Sequence, residues 1–236
     1  RSELLMGSRA MEKLKNATVM VVGTGGVGSF AAEALIRTGV GSLILIDKDV
    51  VEPSNINRQL VARRDTIGQS KVEVLKKHAA TLNPDIQVTA IHDFYDASMN
   101  EKLKALRPDY ILDCIDSVDS KKDLILFALD NDIPIISSMG MARKKDPGQI
   151  SVMELEKTSY DPIAKILRIW KRKNKIRKKI QVVSSTEPPV SMEKGSVLPS
   201  AIFVPATAGL AMANKAVLDL AADTENEASK DGFEKE

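Results

Sequence analysis

The sequence predicts an α/β fold: a Rossmann-like, doubly wound, mainly parallel sheet with strands and helices added at its C-terminal end. Three observations carry the prediction. Strand-like and helix-like runs alternate roughly every 20–25 residues up to residue 140. A glycine cluster, Gly23-Thr24-Gly25-Gly26-Val27-Gly28, follows the first β-branched run and opens a helical pattern. Acidic residues stand where the second and fourth strands end, at Asp47, Asp113 and Asp116, and ligands of such sheets sit beyond the strand C-termini.

Taken in order, residues 1–16 read as a helix, with Leu4, Leu5, Met6, Met11 and Leu14 on one side. Strand 18–22 leads through the glycine turn into a helix over 27–38, which Gly39 and Gly41 end. Strand 42–46 follows, then a polar loop from Asp47 to Arg64, too long for an ordinary strand–helix connection and therefore a functional candidate. A helix over 70–82 stops at Asn83-Pro84. Strand 86–91, helix 98–106, strand 110–116, helix 119–131 and strand 133–138 complete the alternation. Beyond 140 the pattern changes: a strand over 149–155, a helix over 161–179 that becomes basic, a strand over 181–185, a proline-punctuated stretch, a helix over 206–222 and a polar tail over 223–236.

Composition narrows the classes. The 236 residues are 43% hydrophobic and 28% charged, ordinary for a globular chain with room for a sizeable core. The one cysteine, Cys114, sits in an apolar run, which rules out an internal disulfide and a cysteine-built zinc site and reads as a buried strand residue rather than a nucleophile. No apolar run approaches a membrane span and no secretion signal is visible, so no membrane contact and a cytoplasmic setting are expected.

The glycine turn carries G-x-G-x-x-G on Gly23, Gly25 and Gly28, where bare N–H groups and a helix N-terminus hold an anion. Asp47, nineteen residues after Gly28, stands where an acid meets a ribose hydroxyl. Alone, these features suit NAD. The loop Asn55-Ile56-Asn57-Arg58-Gln59 with Lys71 adds what a triphosphate needs, because Arg bridges two phosphate oxygens and Lys supplies a point charge. Asp116, with Asp113 nearby, would suit Mg²⁺, which takes few protein ligands; a helix cap is the other reading of Asp116. Arg168, Lys171, Arg172, Lys173, Lys175, Arg177, Lys178 and Lys179 put eight cations in twelve positions, with Trp170 among them and no acid. That run suits an RNA backbone; a solvated face, or neutralisation by the acidic tail from Asp219, is the alternative.

The ordered set Gly23–Gly28, Asp47-x-Asp49, Asn55–Gln59, Gly68-Gln69-Ser70-Lys71 and Asp113–Asp116 resembles the ubiquitin-activating-type adenylation superfamily, with its bacterial ThiF, MoeB and HesA proteins. Glu3–Gly7, Asp116-Ser117, Asp146-Pro147, Asp161-Pro162 with the basic run, and Ser185-Thr186-Glu187 are similar to its tRNA threonylcarbamoyladenosine dehydratase branch. The resemblance implies a single ThiF-type ATP-binding domain over 1–236, with a nucleotide-binding core at 1–140, a substrate- and tRNA-facing part at 141–222 and a tail. It implies that Gly23, Gly25, Gly26 and Gly28 line an ATP site, that Asp47 holds the ribose with Asp49 beside it, that Asn55, Arg58, Gln59 and Lys71 serve the phosphates, and that Asp116 holds Mg²⁺. Arg58, Lys71 and Asp116 would then be the catalytic set, and the basic run would take tRNA. The implied reaction activates the carboxylate of threonylcarbamoyladenosine, beside the anticodon, so that the nucleoside closes a ring with loss of water. The implied partners are tRNA, a second copy in a homodimer and a sulfur-transfer protein. The rival within the superfamily is an adenylyltransferase for a small sulfur-carrier protein, which two missing Cys-x-x-Cys pairs oppose. An NAD-dependent oxidoreductase and a non-catalytic RNA-binding scaffold are the readings outside it.

Overall fold

The computed structural model describes residues 1–193 and 197–222. The chain enters through two short helices, α1 (Ser2–Met6) and α2 (Ser8–Asn16), where the sequence predicts one. Gly7, at φ +86°, breaks them apart. β1 (Thr18–Val22), α3 (Gly28–Thr38), β2 (Ser42–Ile46), α4 (Lys71–Leu82) and β3 (Gln87–Ile91) follow. Then come α5 (Asn100–Ala105), β4 (Tyr110–Asp113), α6 (Val118–Asp130) and β5 (Ile135–Ser138). The added part holds β6 (Ile150–Glu154), α7 (Pro162–Lys173), β7 (Gln181–Ser185) and α8 (Phe203–Ala221).

These strands form one seven-stranded sheet in the order β3-β2-β1-β4-β5-β7-β6. All pairs are parallel except the antiparallel β6–β7 edge. Side chains alternate across the central strands and so divide the core in two. Val19 and Val21 face a layer with Leu35 of α3, Leu75 of α4 and Met212 of α8. Met20 and Val22 face the opposite layer, with Leu124 of α6 and Leu167 of α7. Strands buried on both faces read as continuous apolar runs, which is why 18–22 and 42–46 stand out in the sequence. The strand order turns outward in both directions from β1 and β4, so the crevice between their C-terminal ends is the place for a ligand.

Two boundaries differ in ways that bear on function. β4 stops at Asp113 rather than 116, because the Asp113 carboxylate accepts the Ile115 N–H at 3.1 Å and turns the chain out of the sheet. α7 stops at Lys173, so Lys175, Arg177, Lys178 and Lys179 lie on a loop and not on a helix. Lys175, at φ +54°, takes the left-handed position that glycine normally fills. Its N–H donates to the Arg172 carbonyl and the Ile176 N–H to the Lys171 carbonyl, a Schellman closure without its usual sequence mark. Asp219, where the acidic run of the sequence begins, belongs to α8 and accepts from the Tyr110 hydroxyl at 2.9 Å; the tail itself, 223–236, lies outside the described residues. Among the described residues no helix is long and apolar enough to cross a membrane.

Candidate active site

A cavity of about 720 Å³ opens at the C-terminal ends of β1, β2, β4 and β5. Its floor is the glycine turn. Gly23, at φ +88°, lies so close to the chain after β4 that a Cβ there would sit 2.6 Å from the Cys114 carbonyl oxygen. A Cβ at Gly28 would sit 1.8 Å from the Gly23 carbonyl oxygen. These two glycines make the turn; Gly25 and Gly26 leave its backbone open to the cavity. Asp47 fixes the turn from β2, with Oδ2 accepting from the Thr24 N–H at 2.6 Å and the Thr24 hydroxyl at 3.0 Å.

Three helix N-termini converge here. Val27 before α3, Lys71 at the start of α4 and Ser117 before α6 all line the cavity. None of the three helices has a side-chain cap hydrogen bond. The Lys71 and Ser29 N–H groups are taken by the Asp49 and Gly25 carbonyls, but first turns without a side-chain cap still turn the positive ends of helix dipoles toward the cavity, which suits an anion.

The charged residues sort as follows. Lys71 is buried, and its Nζ sits 2.8 Å from Asp49 Oδ2. Lysine at a helix start opposes the helix dipole, and here it places a buried positive charge at the cavity. Arg58 reaches the wall with Nη1 held by the Ser54 carbonyl at 2.9 Å and Asn57 Oδ1 at 2.8 Å. Asn57 in turn donates to the Ser200 carbonyl at 2.9 Å, tying this loop to the chain before α8. Gln59 lines the cavity with a buried Oε1 that has no hydrogen-bond partner among the described residues. Asn55 is absent from the wall: its Oδ1 accepts from the Glu52 N–H at 3.1 Å and its carbonyl accepts from the Arg58 and Gln59 N–H groups. Its place is to shape the loop that carries them. Neither Arg1 nor Arg9, the two arginines of the N-terminal segment, is on the wall.

The two aspartates after β4 part company. Asp113 is fully buried and held by Lys121 Nζ at 2.8 Å and the Ser137 hydroxyl at 2.5 Å, so it has nothing left for a ligand. Asp116 is exposed on the cavity wall and accepts no hydrogen bond among the described residues; Ser117, not Asp116, holds the helix-cap position. A lone carboxylate beside an anion site fits Mg²⁺, which takes one or two protein oxygens and completes its shell with phosphate and water. Among the described residues no group of three or more His, Cys, Asp or Glu side chains could form an all-protein cage. The glycine cradle and the buried lysine likewise fit a nucleoside triphosphate.

Cys114 lies one residue past β4 and lines the cavity half-buried, not inside a strand as its apolar run suggests. Its thiol lies 3.9 Å from Met212 Sδ, and desolvation pushes its pKa up, away from the reactive thiolate.

The basic run is partly neutralised by the fold. Lys171 pairs with Glu156, Lys178 with Asp132 at 2.5 Å and Lys179 with Glu154 at 2.7 Å. Arg168 is bound to the Thr158 carbonyl and hydroxyl. The expectation of eight cations without acids therefore holds for the sequence and not for the fold. Arg172, Lys173, Lys175 and Arg177 remain exposed, three of them around a concavity of about 350 Å³ shared with Glu156 and Lys171. α7 connects this patch to the cavity. Asp161 caps the helix through the Ala164 N–H at 2.9 Å and also accepts the N–H of Gly140, a wall residue. From Ile163 on the wall to Arg172 is about 14 Å along the helix.

The ThiF family profile matches residues 1–227. The chain belongs to the ThiF family. Among its relatives, the tRNA threonylcarbamoyladenosine dehydratase of Bacillus subtilis is 42% identical over 98% of this chain and 97% of its own. The Escherichia coli tRNA N6-threonylcarbamoyladenosine dehydratase, solved in complex with ATP, superposes with a TM-score of 0.87 at 36% identity, covering 98% of this chain and 95% of that one. The molybdopterin-synthase adenylyltransferase of E. coli, a more distant relative, is 35% identical over 60% of this chain and 55% of its own. Family membership accounts for the glycine turn and the polar loop. It leaves the Lys121 and Ser137 partners of Asp113 to be found in the structure, as neither carries a motif and only the fold brings them together.

Proposed function

We propose that this chain is an ATP-dependent tRNA-modifying dehydratase that cyclises threonylcarbamoyladenosine next to the anticodon. The observation that carries the reading is the convergence of three uncapped helix N-termini, Lys71 and Arg58 on one cavity, with the unpartnered Asp116 at its edge. ATP supplies a phosphate-type leaving group for the carboxylate oxygen of the substrate. Gly25 and Gly26 let phosphates approach the backbone, Lys71 and Arg58 offset their charge, and Asp47 meets the ribose from the end of β2. Asp116 holds Mg²⁺. The attacking atom belongs to the same nucleoside, so positioning and charge neutralisation provide the catalysis and the chain needs no nucleophile. That agrees with the inert Cys114.

Arg172, Lys173, Lys175 and Arg177 contact the tRNA backbone, while the four paired cations hold the loop that presents them. The B. subtilis dehydratase matches 98% of the chain and the adenylyltransferase 60% of it, which favours a nucleoside over a carrier-protein substrate. A homodimer and a cytoplasmic setting complete the reading, with a sulfur-transfer protein as a further partner.

The test is incubation with ATP, Mg²⁺ and tRNA bearing threonylcarbamoyladenosine, followed by nucleoside mass spectrometry. Loss of the mass of one water is the expected result. An unchanged nucleoside, with a dehydratase relative active in parallel, refutes the assignment.

A further inference from the structure

Beneath the cavity lies a polar cluster that the reaction itself does not use. Asp113 and Lys121 are both wholly buried, and their ion pair is closed at 2.8 Å. Ser137 donates to the same carboxylate oxygen, Asp113 Oδ2, at 2.5 Å, and Lys121 Nζ reaches the Ser137 hydroxyl oxygen at 3.3 Å. The other oxygen, Oδ1, accepts the backbone N–H of Ile115 at 3.1 Å. One carboxylate thus joins β4, β5, α6 and the first residues of the loop that leaves β4.

A buried ion pair is weak as a source of stability, since desolvation offsets most of the attraction. Its geometry points to another role. The elements it joins all feed the cavity: Ile115, Asp116 and Ser117 come from the β4 exit, and Ser138 and Met139 from the β5 exit. The Ile115 N–H bond is the only side-chain hydrogen bond to the backbone of residues 114–117 among the described residues. It sits one peptide before Asp116, whose own carboxylate has no partner among the described residues to hold it.

We propose that Asp113 is a positioning residue, locked by Lys121 and Ser137, that turns the chain at Ile115 and so aims the Asp116 carboxylate at the metal. The inference rests on the assignment of Mg²⁺ to Asp116. Lys121 and Ser137 act at one remove: they fix the Asp113 carboxylate so that Oδ1 faces the Ile115 N–H.

The experiment measures the Mg²⁺ concentration that half-saturates the metal-dependent part of ATP binding, by calorimetry, in four proteins. D113L/K121M replaces the pair with apolar groups of similar shape and removes the acceptor for the Ile115 N–H. D113N/K121M removes both charges but keeps an acceptor oxygen. The expected result is a rise of at least fivefold for D113L/K121M and a value near that of the unsubstituted protein for D113N/K121M. ATP binding without metal stays unchanged in both. A folded D113L/K121M with unaltered Mg²⁺ dependence overturns the proposal. The fourth protein, D116N, separates the two levels: if it leaves the Mg²⁺ dependence unaltered, the assignment of the metal to Asp116 fails, not merely its positioning. Should D113L/K121M not fold, hydrogen exchange of the Ile115 amide decides. Protection comparable to that of the β4 amides supports the turn as a fixed element, and exchange as fast as in an exposed loop overturns it.

Discussion

Replacing Lys71 by methionine separates its structural part from its functional one. The Nζ is buried and touches Asp49 at 2.8 Å, but the Asp49 side chain is 50% exposed and can return to water without its partner. An ion pair with one solvated member contributes less than ~1 kcal/mol. Met preserves the length and apolar stem of the lysine, so K71M should keep the fold and lose only a small part of its stability. ATP loses a charge-assisted hydrogen bond in a sheltered site, worth ~1.5–3 kcal/mol. At ~1.4 kcal/mol per factor of ten, the dissociation constant for ATP should rise about 10- to 150-fold. The loss is not complete, because residues at the N-termini of α3, α4 and α6 still line the cavity. Isothermal calorimetry with ATP, beside thermal unfolding, gives both numbers. An unchanged ATP affinity with an intact fold refutes the assignment of Lys71. A collapse in stability without ligand refutes the claim that its pairing with Asp49 is energetically minor.

Three further substitutions test other parts. D116N should abolish Mg²⁺-supported turnover while thermal unfolding stays unchanged, because the carboxylate makes no hydrogen bond among the described residues; near-normal turnover removes it from the site. R172A/K173A/K175A/R177A should weaken tRNA binding and flatten its salt dependence, by about one unit of log–log slope for each phosphate no longer neutralised, with ATP affinity untouched. Binding that keeps its slope returns this patch to plain solvation. C114A should retain turnover, and the folded protein should resist alkylation at neutral pH, since burial raises the thiol pKa; a dead C114A with an intact fold contradicts the account of an enzyme without a nucleophile.

What was legible in the sequence follows a physical pattern. The central strands could be read almost to the residue, because β1 and β2 are buried on both faces and are bounded by turn residues. The glycine turn was legible because close backbone approach forbids other residues at Gly23 and Gly28. Pairings across the fold were not. Nothing local shows that Asp113 is consumed by a lysine eight residues on and a serine from the next strand. Nor does the sequence show that Lys178 and Lys179 meet acids brought beside them from Asp132 and Glu154. The end of α7 escaped because Lys175 occupies the left-handed position without a glycine to mark it.

The central claim is that the cavity beyond β1 and β4 uses ATP to turn a carboxylate oxygen into a leaving group. Heavy-oxygen labelling of the threonylcarbamoyl carboxylate of the tRNA tests it most directly. After a single turnover, mass spectrometry should find one labelled oxygen in a phosphorus-containing product, AMP or inorganic phosphate, in step with formation of the dehydrated nucleoside. Label released into bulk water, with none in either product, would contradict the account.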